Sequence, residues 1–583
     1  MQNPPGTAGH GWLIKVSPRH ARPAPAACPS HLRTAVRPMV TADPPTPFRP
    51  APREEFAFGP LFAALDLWEH EGWPLGRVLA ELRSTRGVFR GRGAVVHPAL
   101  LEWTAQALER YAVAREREQS QARAAGLPST APVRSGWTVR TARREVPDAR
   151  GARQYEHTVW GRPYASADGS LRELWIPSLG RAKEDRPAAE KAAIAHVMAK
   201  GEETPRRRAR VAPPEAPTNP GRPPDRVRVF DFGCADGSAT LLLDWRSAQA
   251  AERFTADTAP VFHHVATGTG TRPGESCVEC KGISRCTALR RTPDLWGGTP
   301  STQAHKRRSL SAWDLRLYGE CPAQYHLVRR LHLDNLAEEG DGARRGRAVD
   351  DWLNKRHSVR PARTCRSLPR PDEFEVAGEY NLDGPSAWEA ARMLDEHRAL
   401  CPLDGIAPEE QVLVQHTVTA YVPELDVVVL AVPDLLYTFR GRWIWRETKT
   451  SSRPLWEGRS LLRSYPQLAL AVLLFSAGAV GTGARRSWIE LEHLRADRGL
   501  SRLERIDPAH PETVTEAREV IAEIAQPLLN DTSYEPRTGR HCHGCQARTW
   551  CGPGTAYTAD HPRATGTLED ASAWDPDRGN PHD

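Results

Sequence analysis

At 583 residues the chain is too long for one hydrophobic core, and length alone points to two to four domains. Hydrophobic content of 39% suffices for globular domains, while 51 prolines imply that part of the chain is linker. A net charge of +7 permits nucleic acid as a partner without demanding it, and the absence of a run of about 18 apolar residues argues against a helical membrane span. The N-terminal MQNPPGTAGHGWLIK lacks the charged, apolar and small-residue sections of a signal peptide, so a cytoplasmic location is expected. In that compartment the 11 cysteines should not form a disulfide framework.

Residues 1–52, rich in Pro and Ala, are expected to be a disordered leader. Apolar residues then recur at helical spacing through GPLFAALDLWEHEGWPLGRVLAEL and LLEWTAQALERYAVA. YEHTVWGRPYASADGSLRELWIP carries an Asp168-Gly169 hairpin signal that sets Tyr164 opposite Glu173. Prolines between 203 and 226 block both helix and ladder, and the loop they imply holds Arg206, Arg207, Arg208 and Arg210. RVRVFDFGCADGSATLLLDW reads as a second hairpin, followed by a helix-like stretch and by Cys277, Cys280 and Cys286. Residues 291–308 have the character of a linker.

The second half repeats that order. SWIELEHLRADRGLSRLERI takes the hairpin slot, ETVTEAREVIAEIAQPLL the helix, and Cys542, Cys545 and Cys551 repeat the C-x2-C-x5-C spacing of Cys277, Cys280 and Cys286. A polar tail at residues 553–583 is expected to be disordered. Two related domains are therefore expected, at 53–290 and 309–552.

VVVLAVPDLLYTFRGRWIWRETKTSS shows two β-branched and aromatic runs around Arg440-Gly441. A two-residue turn there places Asp434 directly opposite Glu447, with Cβ atoms about 4.5–5.5 Å apart, where like charges repel. A divalent cation between them removes that penalty, and Lys449 projects from the same face as Glu447. Two carboxylates and an ammonium on one strand face suit phosphodiester hydrolysis. The carboxylates hold Mg²⁺ or Mn²⁺ while the lysine orients or deprotonates the attacking water. An exposed strand with an ordinary Glu–Lys pattern is the competing reading of the hairpin alone.

PD at 433–434 followed by ETK at 447–449 resembles the PD-(D/E)XK nuclease superfamily, of the RecB-like type. SLSAWDLRLYGECPAQYHL resembles the first helix of its iron–sulfur members, with Cys321 before a proline. RRGRAVDDWL resembles the helix that carries Gly-x-x-x-His, with Asp350 in the histidine position after Gly346. An oxygen ligand at 350 remains acceptable to a hard cation. SYPQLALAVLLF resembles the helix that carries Gln-x-x-x-Tyr; Gln467 is present and Ala471 replaces the tyrosine.

The resemblance implies an α/β fold with a restriction-endonuclease-like core, a mixed central sheet flanked by helices, expected twice in this chain. It implies Asp434, Glu447, Lys449 and Gln467 as catalytic residues, Asp350, Asp434 and Glu447 as Mg²⁺ or Mn²⁺ ligands, and DNA as partner. It also implies that Cys321 joins Cys542, Cys545 and Cys551. Four thiolates serve zinc and iron–sulfur clusters alike, and similarity to the AddB-like nucleases favours 4Fe-4S, with zinc as the alternative. Cys277, Cys280 and Cys286 form a possible second metal site, for which Cys28, Cys234, His263 and His264 are the candidate fourth ligands. In the first half Tyr164 stands where the second has Asp434, and Trp175 where it has Lys449, so that half is expected to be a degenerate copy. FDFGCADG also resembles the glycine-rich loop of methyltransferases, but its counterpart in the second half is the SWIELEHL hairpin and no strand–helix series follows. No phosphate-binding GxxxxGK[ST] loop is present, so a helicase partner would be a separate chain.

Overall fold

The structure, a computed structural model, describes residues 3–22, 26–42, 53–84, 88–89, 95–143, 153–205, 223–300, 306–333, 340–451, 454–455, 458, 460–481, 487–497 and 499–562. The basic run at Arg206, Arg207, Arg208 and Arg210 lies outside them. The chain divides into two compact units. Unit 1 comprises residues 1–288, 327–336 and 546–552, and unit 2 comprises 289–326, 337–545 and 553–583.

Unit 1 is built on helix α1 (Pro98–Ala124), strands β1 (Thr130–Pro132), β2 (Arg162–Ser166) and β3 (Leu171–Ser178), helix α2 (Ala188–Lys200), and strands β4 (Arg226–Gly233) and β5 (Ala239–Arg246). Its five-stranded sheet runs β5-β4-β3-β2-β1. Only the β3/β4 pair is parallel, as a crossover through a helix requires. The Asp168-Gly169 hairpin has the expected register, with Tyr164 paired to Glu173. Gly169 takes φ +72, a left-handed value that glycine adopts at no steric cost.

Unit 2 follows the same plan with helices α3 (Asp341–His357) and α4 (Gly384–Leu400), strands β6 (Val412–Val414), β7 (Leu435–Phe439) and β8 (Arg442–Thr450), helix α5 (Pro466–Ser476), and strands β9 (Trp488–Leu494) and β10 (Arg502–Ile506). Its sheet runs β6-β7-β8-β9-β10, again with one parallel pair, β8/β9. The two sheets share strand order and pairing sense, so the repeat in the sequence is a repeat of topology. In this mixed α/β architecture, β8 and β9 lie inside the sheet with neighbours on both sides. Helix α5 is buried nearly all round, from Leu468 to Phe475, which explains why its hydrophobic run shows no polar stripe.

Three expectations need correction. The leader is ordered where it is described. Leu13–Val16 is a strand paired in parallel with Arg153–Thr158, and Ile14 and Val16, two residues apart on one face, are buried with Val36, Ala193 and Phe262. The 291–308 linker is bounded by strands, since Arg290–Arg291 pairs with Val418–Val422 and Arg308–Leu310 with Val427–Ala431. Between them Leu295 and Trp296 are buried. The tail begins as a helix, Gly552–Asp560.

Candidate active site and cysteine centres

Arg440 and Gly441, both at positive φ, form the tight turn between β7 and β8. The ladder runs from Phe439↔Arg442 to Leu435↔Arg446, which leaves Asp434 and Glu447 as the next opposed positions. Asp434 is locked there, because its Oδ2 accepts the Thr448 backbone N–H at 2.7 Å. Glu447 is buried, with Oε1 accepting from the Trp445 indole at 2.8 Å and Oε2 3.3 Å from Lys449 Nζ.

Helix α3 brings the third carboxylate. Its apolar face, Ala348, Val349, Trp352 and Leu353, packs in one core with Leu435, Tyr437 and Ile444 of the hairpin. Gly346 permits the close approach, since a Cβ there would lie 3.1 Å from Thr450 Oγ1. One turn on, Asp350 Oδ2 accepts from Asn354 at 3.0 Å. Gln415, beyond the end of β6, joins the two carboxylates: its amide nitrogen lies 3.2 Å from Asp434 Oδ1 and 3.5 Å from Asp350 Oδ1. The sequence pattern gave no sign of Gln415, whose left-handed φ of +48 turns the chain toward the site.

Crowding shows in the electrostatics. Burial, reinforced by the Asp434 carboxylate, pushes Asp350 up to about 6. Burial pushes Glu447 up to about 7, with Lys449 opposing and Asp434 adding to the rise. Burial works against the Lys449 charge, but Glu447, Asp434 and Asp350 together hold its ammonium above the usual range. Asp350 and Glu447, both held above the usual carboxylate range beside Asp434, form with it a site whose charge a divalent cation would balance, and their oxygens are the donors that Mg²⁺ or Mn²⁺ takes. Gln467 is half-buried at the start of α5. Ala471, in the tyrosine position, is fully buried. Tyr465, just before α5, lies within electrostatic range of Lys449 and supplies a hydroxyl that the motif did not predict. Of the basic run on α3, Arg344 pairs with Asp341 and Arg345 with Glu389, while Arg347 faces the Tyr380 ring.

The matching position of unit 1 is filled differently. Glu173 is buried and salt-bridged to Arg115 at 2.9 Å and Arg228 at 3.0 Å, and it accepts from Thr130 Oγ1 at 2.7 Å. Arg115 comes from α1 and also lies over the Tyr164 ring. Two guanidinium groups therefore sit where a cation would bind.

Cys321 and Cys542 converge on one imidazole, His541, which hydrogen-bonds both thiols. Cys321 also accepts the Arg537 backbone N–H at 3.3 Å. Unit 1 repeats this detail: Cys28, before Pro29, accepts the Arg272 backbone N–H at 3.4 Å. Each arginine stands five residues before the first cysteine of its C-x2-C-x5-C motif. Burial raises Cys277 to about 11, and Cys280, Cys286 and Cys28 all add to the rise, so these four thiols share one neighbourhood. Cys234 is instead buried beside Asp231 and Arg110. Cys28 is thus the counterpart of Cys321. Cys545 belongs with Cys321 and Cys542 in unit 2, whereas Cys551 is grouped with unit 1.

Among the described residues no helix is long and apolar enough to cross a membrane. Residues 309–552 match a family model described as the PD-(D/E)XK nuclease superfamily. No curated protein matches the chain. One solved structure that it resembles, described as "Crystal structure of SSO0001", is 14% identical over 43% of this chain and 90% of that one, at a TM-score of 0.22. That likeness is too loose to bear on the fold.

Proposed function

We infer, from a C-terminal half whose residues 309–552 belong to the PD-(D/E)XK nuclease superfamily, that the protein is a Mg²⁺- or Mn²⁺-dependent deoxyribonuclease of RecB-like type. The observation that carries this reading is the convergence of Asp350, Asp434, Glu447 and Lys449, with Gln415 joining two of the carboxylates. A bound divalent ion would supply charge to the scissile phosphate and a more acidic water. Asp350, Asp434 and Glu447 would hold it. Lys449, fixed by Glu447, orients the attacking water and offsets negative charge developing on the phosphate oxygens. Gln467 stands at the start of α5 and would steady the substrate beside this face.

Exonuclease action is preferred to endonuclease action, in DNA repair, recombination or defence, and a separate helicase chain is a compatible partner. These choices rest on the RecB-like motifs. The salt-bridged Glu173 supports a further part of the reading, that unit 1 is a catalytically silent copy. Cys321, Cys542, Cys545 and Cys551 would hold a structural 4Fe-4S cluster, with zinc as the alternative, and Cys28 with Cys277, Cys280 and Cys286 would form a second four-thiolate site.

The test is cleavage of end-labelled single- and double-stranded DNA by protein purified anaerobically, with Mg²⁺, Mn²⁺ or a chelator. Metal-dependent cutting that disappears in Glu447→Ala and Lys449→Ala is expected. DNA binding without cutting under any metal would favour the alternative, a catalytically inactive DNA-binding or scaffold protein of a nuclease–helicase complex. Iron and acid-labile sulfide in the same preparation test the cluster.

A further inference from the structure

Away from the carboxylates and the C-x2-C-x5-C cysteines, unit 2 encloses a further cluster of histidine and cysteine side chains that no sequence motif announced. His357 ends α3, Cys365 lies in the short helical turn after it, His397 is in the last turns of α4, and Cys401 follows that helix. One ligand atom from each lies within 4.8 Å of every other, and all four residues are buried. Nε2 of His357 is 3.5 Å from Cys365 Sγ and 4.0 Å from Cys401 Sγ.

The surroundings are those of a first coordination shell. Cys365 and Cys401 sit in an apolar core with Trp352, Leu353, Met393 and Leu394, which offers polar groups no water. His397 gives Nδ1 to Glu492 at 2.7 Å, while its buried Nε2 meets no well-formed hydrogen bond and the ring's other polar neighbour is the Cys401 thiol. A thiol is a weak hydrogen-bond partner for a buried ring nitrogen, whereas a metal ion would take both as ligands. A carboxylate on the far nitrogen is the arrangement that orients a metal-binding histidine and raises its basicity.

We propose that His357, Cys365, His397 and Cys401 bind a single structural zinc ion. A tetrahedral zinc ion with bonds of about 2.0–2.3 Å sets its ligand atoms about 3.3–3.8 Å apart, close to the 3.5 and 4.0 Å that separate His357 Nε2 from the two sulfurs. A two-iron cluster would divide the imidazoles and the thiolates between separate irons. Here His357 lies against both sulfurs, so one ion fits better. Four protein ligands leave no open position, which makes the role structural and not catalytic.

The site also has a consequence for the carboxylate face. It ties the end of α3, two turns beyond Asp350, to the end of α4. Glu492, on β9, accepts from Thr448 Oγ1 at 3.1 Å, and Thr448 lies between Glu447 and Lys449 on β8. Arg446 adds a second tie from β8, donating to the Leu400 carbonyl beside Cys401 at 2.8 Å. Zinc would thus pin the helix that carries Asp350 to β8, the strand that carries Glu447 and Lys449.

The deciding experiment is anomalous diffraction at the zinc edge on crystals of the full chain purified without added metal. A zinc peak bonded to two nitrogens and two sulfurs of these residues is expected. No peak there, a pair of irons, or a Cys365–Cys401 disulfide would overturn the proposal. Elemental analysis gives a second arm. Cys365→Ala/Cys401→Ala should lose one zinc per chain and keep any iron, whereas Cys542→Ala/Cys545→Ala should keep that zinc. Unchanged zinc in the first variant would contradict the assignment, and if that variant does not fold, the wild-type peak still decides. Neither arm depends on nuclease activity, so a failure of the proposed function would leave this result readable.

Discussion

Glu447→Gln is expected to separate the stability that this buried carboxyl controls from the chemistry proposed for it. The Glu447 side chain lies in a residue only 5% exposed, and burial raises its carboxyl from 4.5 to about 7. Ionising it inside the metal-free fold at pH 8 therefore costs about 3 kcal/mol relative to the unfolded chain. Glutamine keeps the shape and removes that cost. The value of about 7 already includes the attraction of Lys449, 3.3 Å away, so losing that contact adds no separate cost. The expectation is a metal-free variant about 2–3 kcal/mol more stable than wild type, a rise in melting temperature of about 4–12 °C for a domain of this size.

Because the folded value is raised, the wild type loses stability as pH climbs from about 4.5 through about 7. The gap between the two proteins should be widest at pH 8 and close toward pH 5. Excess Mg²⁺ should raise the melting temperature of the wild type and leave the variant nearly unmoved, while DNA cleavage by the variant falls to background. Thermal melts in chelator and in Mg²⁺ at both pH values, with a cleavage assay beside them, read all of this. A variant less stable than wild type in chelator at pH 8, or a gap that persists at pH 5, would refute the reasoning.

Lys449→Met should lower kcat about 10²–10⁴-fold while DNA affinity, read by fluorescence anisotropy, changes only a few-fold; a large loss of binding would assign the lysine to substrate capture. Arg115→Met leaves Glu173 short of one of its two guanidinium partners, and should destabilise unit 1 by about 3–5 kcal/mol. Cleavage per folded molecule should not change, and its loss would show that unit 1 takes part in catalysis. Burial, with His157 and Lys200 adding, holds His196 down at about 4, where its ring stacks on Phe254 at 3.8 Å. A depressed folded value means full stability above about pH 6.5 and a loss on the order of 2–3 kcal/mol as pH falls toward 4. Urea unfolding followed by tryptophan fluorescence should show this slope flattened in His196→Phe.

The hairpins were legible because their turns were. Asp168-Gly169 and Arg440-Gly441 each fix a register, and register alone opposes Tyr164 to Glu173 and brings Asp434 to face Glu447. The repeated order of hairpin, helix and cysteines was legible for a similar reason: each element leaves a local pattern. Features assembled from distant residues left none. Ile14 and Val16 belong to a strand of only four residues among prolines and alanines, and their partner strand begins at Arg153. His357, Cys365, His397 and Cys401 are brought together by the packing of α3 on α4, and only the four-residue step from His397 to Cys401 carries a hint. Gln415 depends on a left-handed turn that no residue preference announces. The Cys28-Pro29 step echoes Cys321-Pro322, but the equivalence of the two cysteines rests on a backbone donor 244 residues from Cys28.

The proposed activity depends on one cation site between β7, β8 and α3. Anomalous diffraction from crystals soaked in Mn²⁺ tests it most directly. A peak is expected about 2.0–2.2 Å from carboxylate oxygens of Asp434 and Glu447, with Asp350 in the first or second shell and no peak at Glu173. Manganese absent from these carboxylates in active protein, or bound at Glu173 instead, would contradict it.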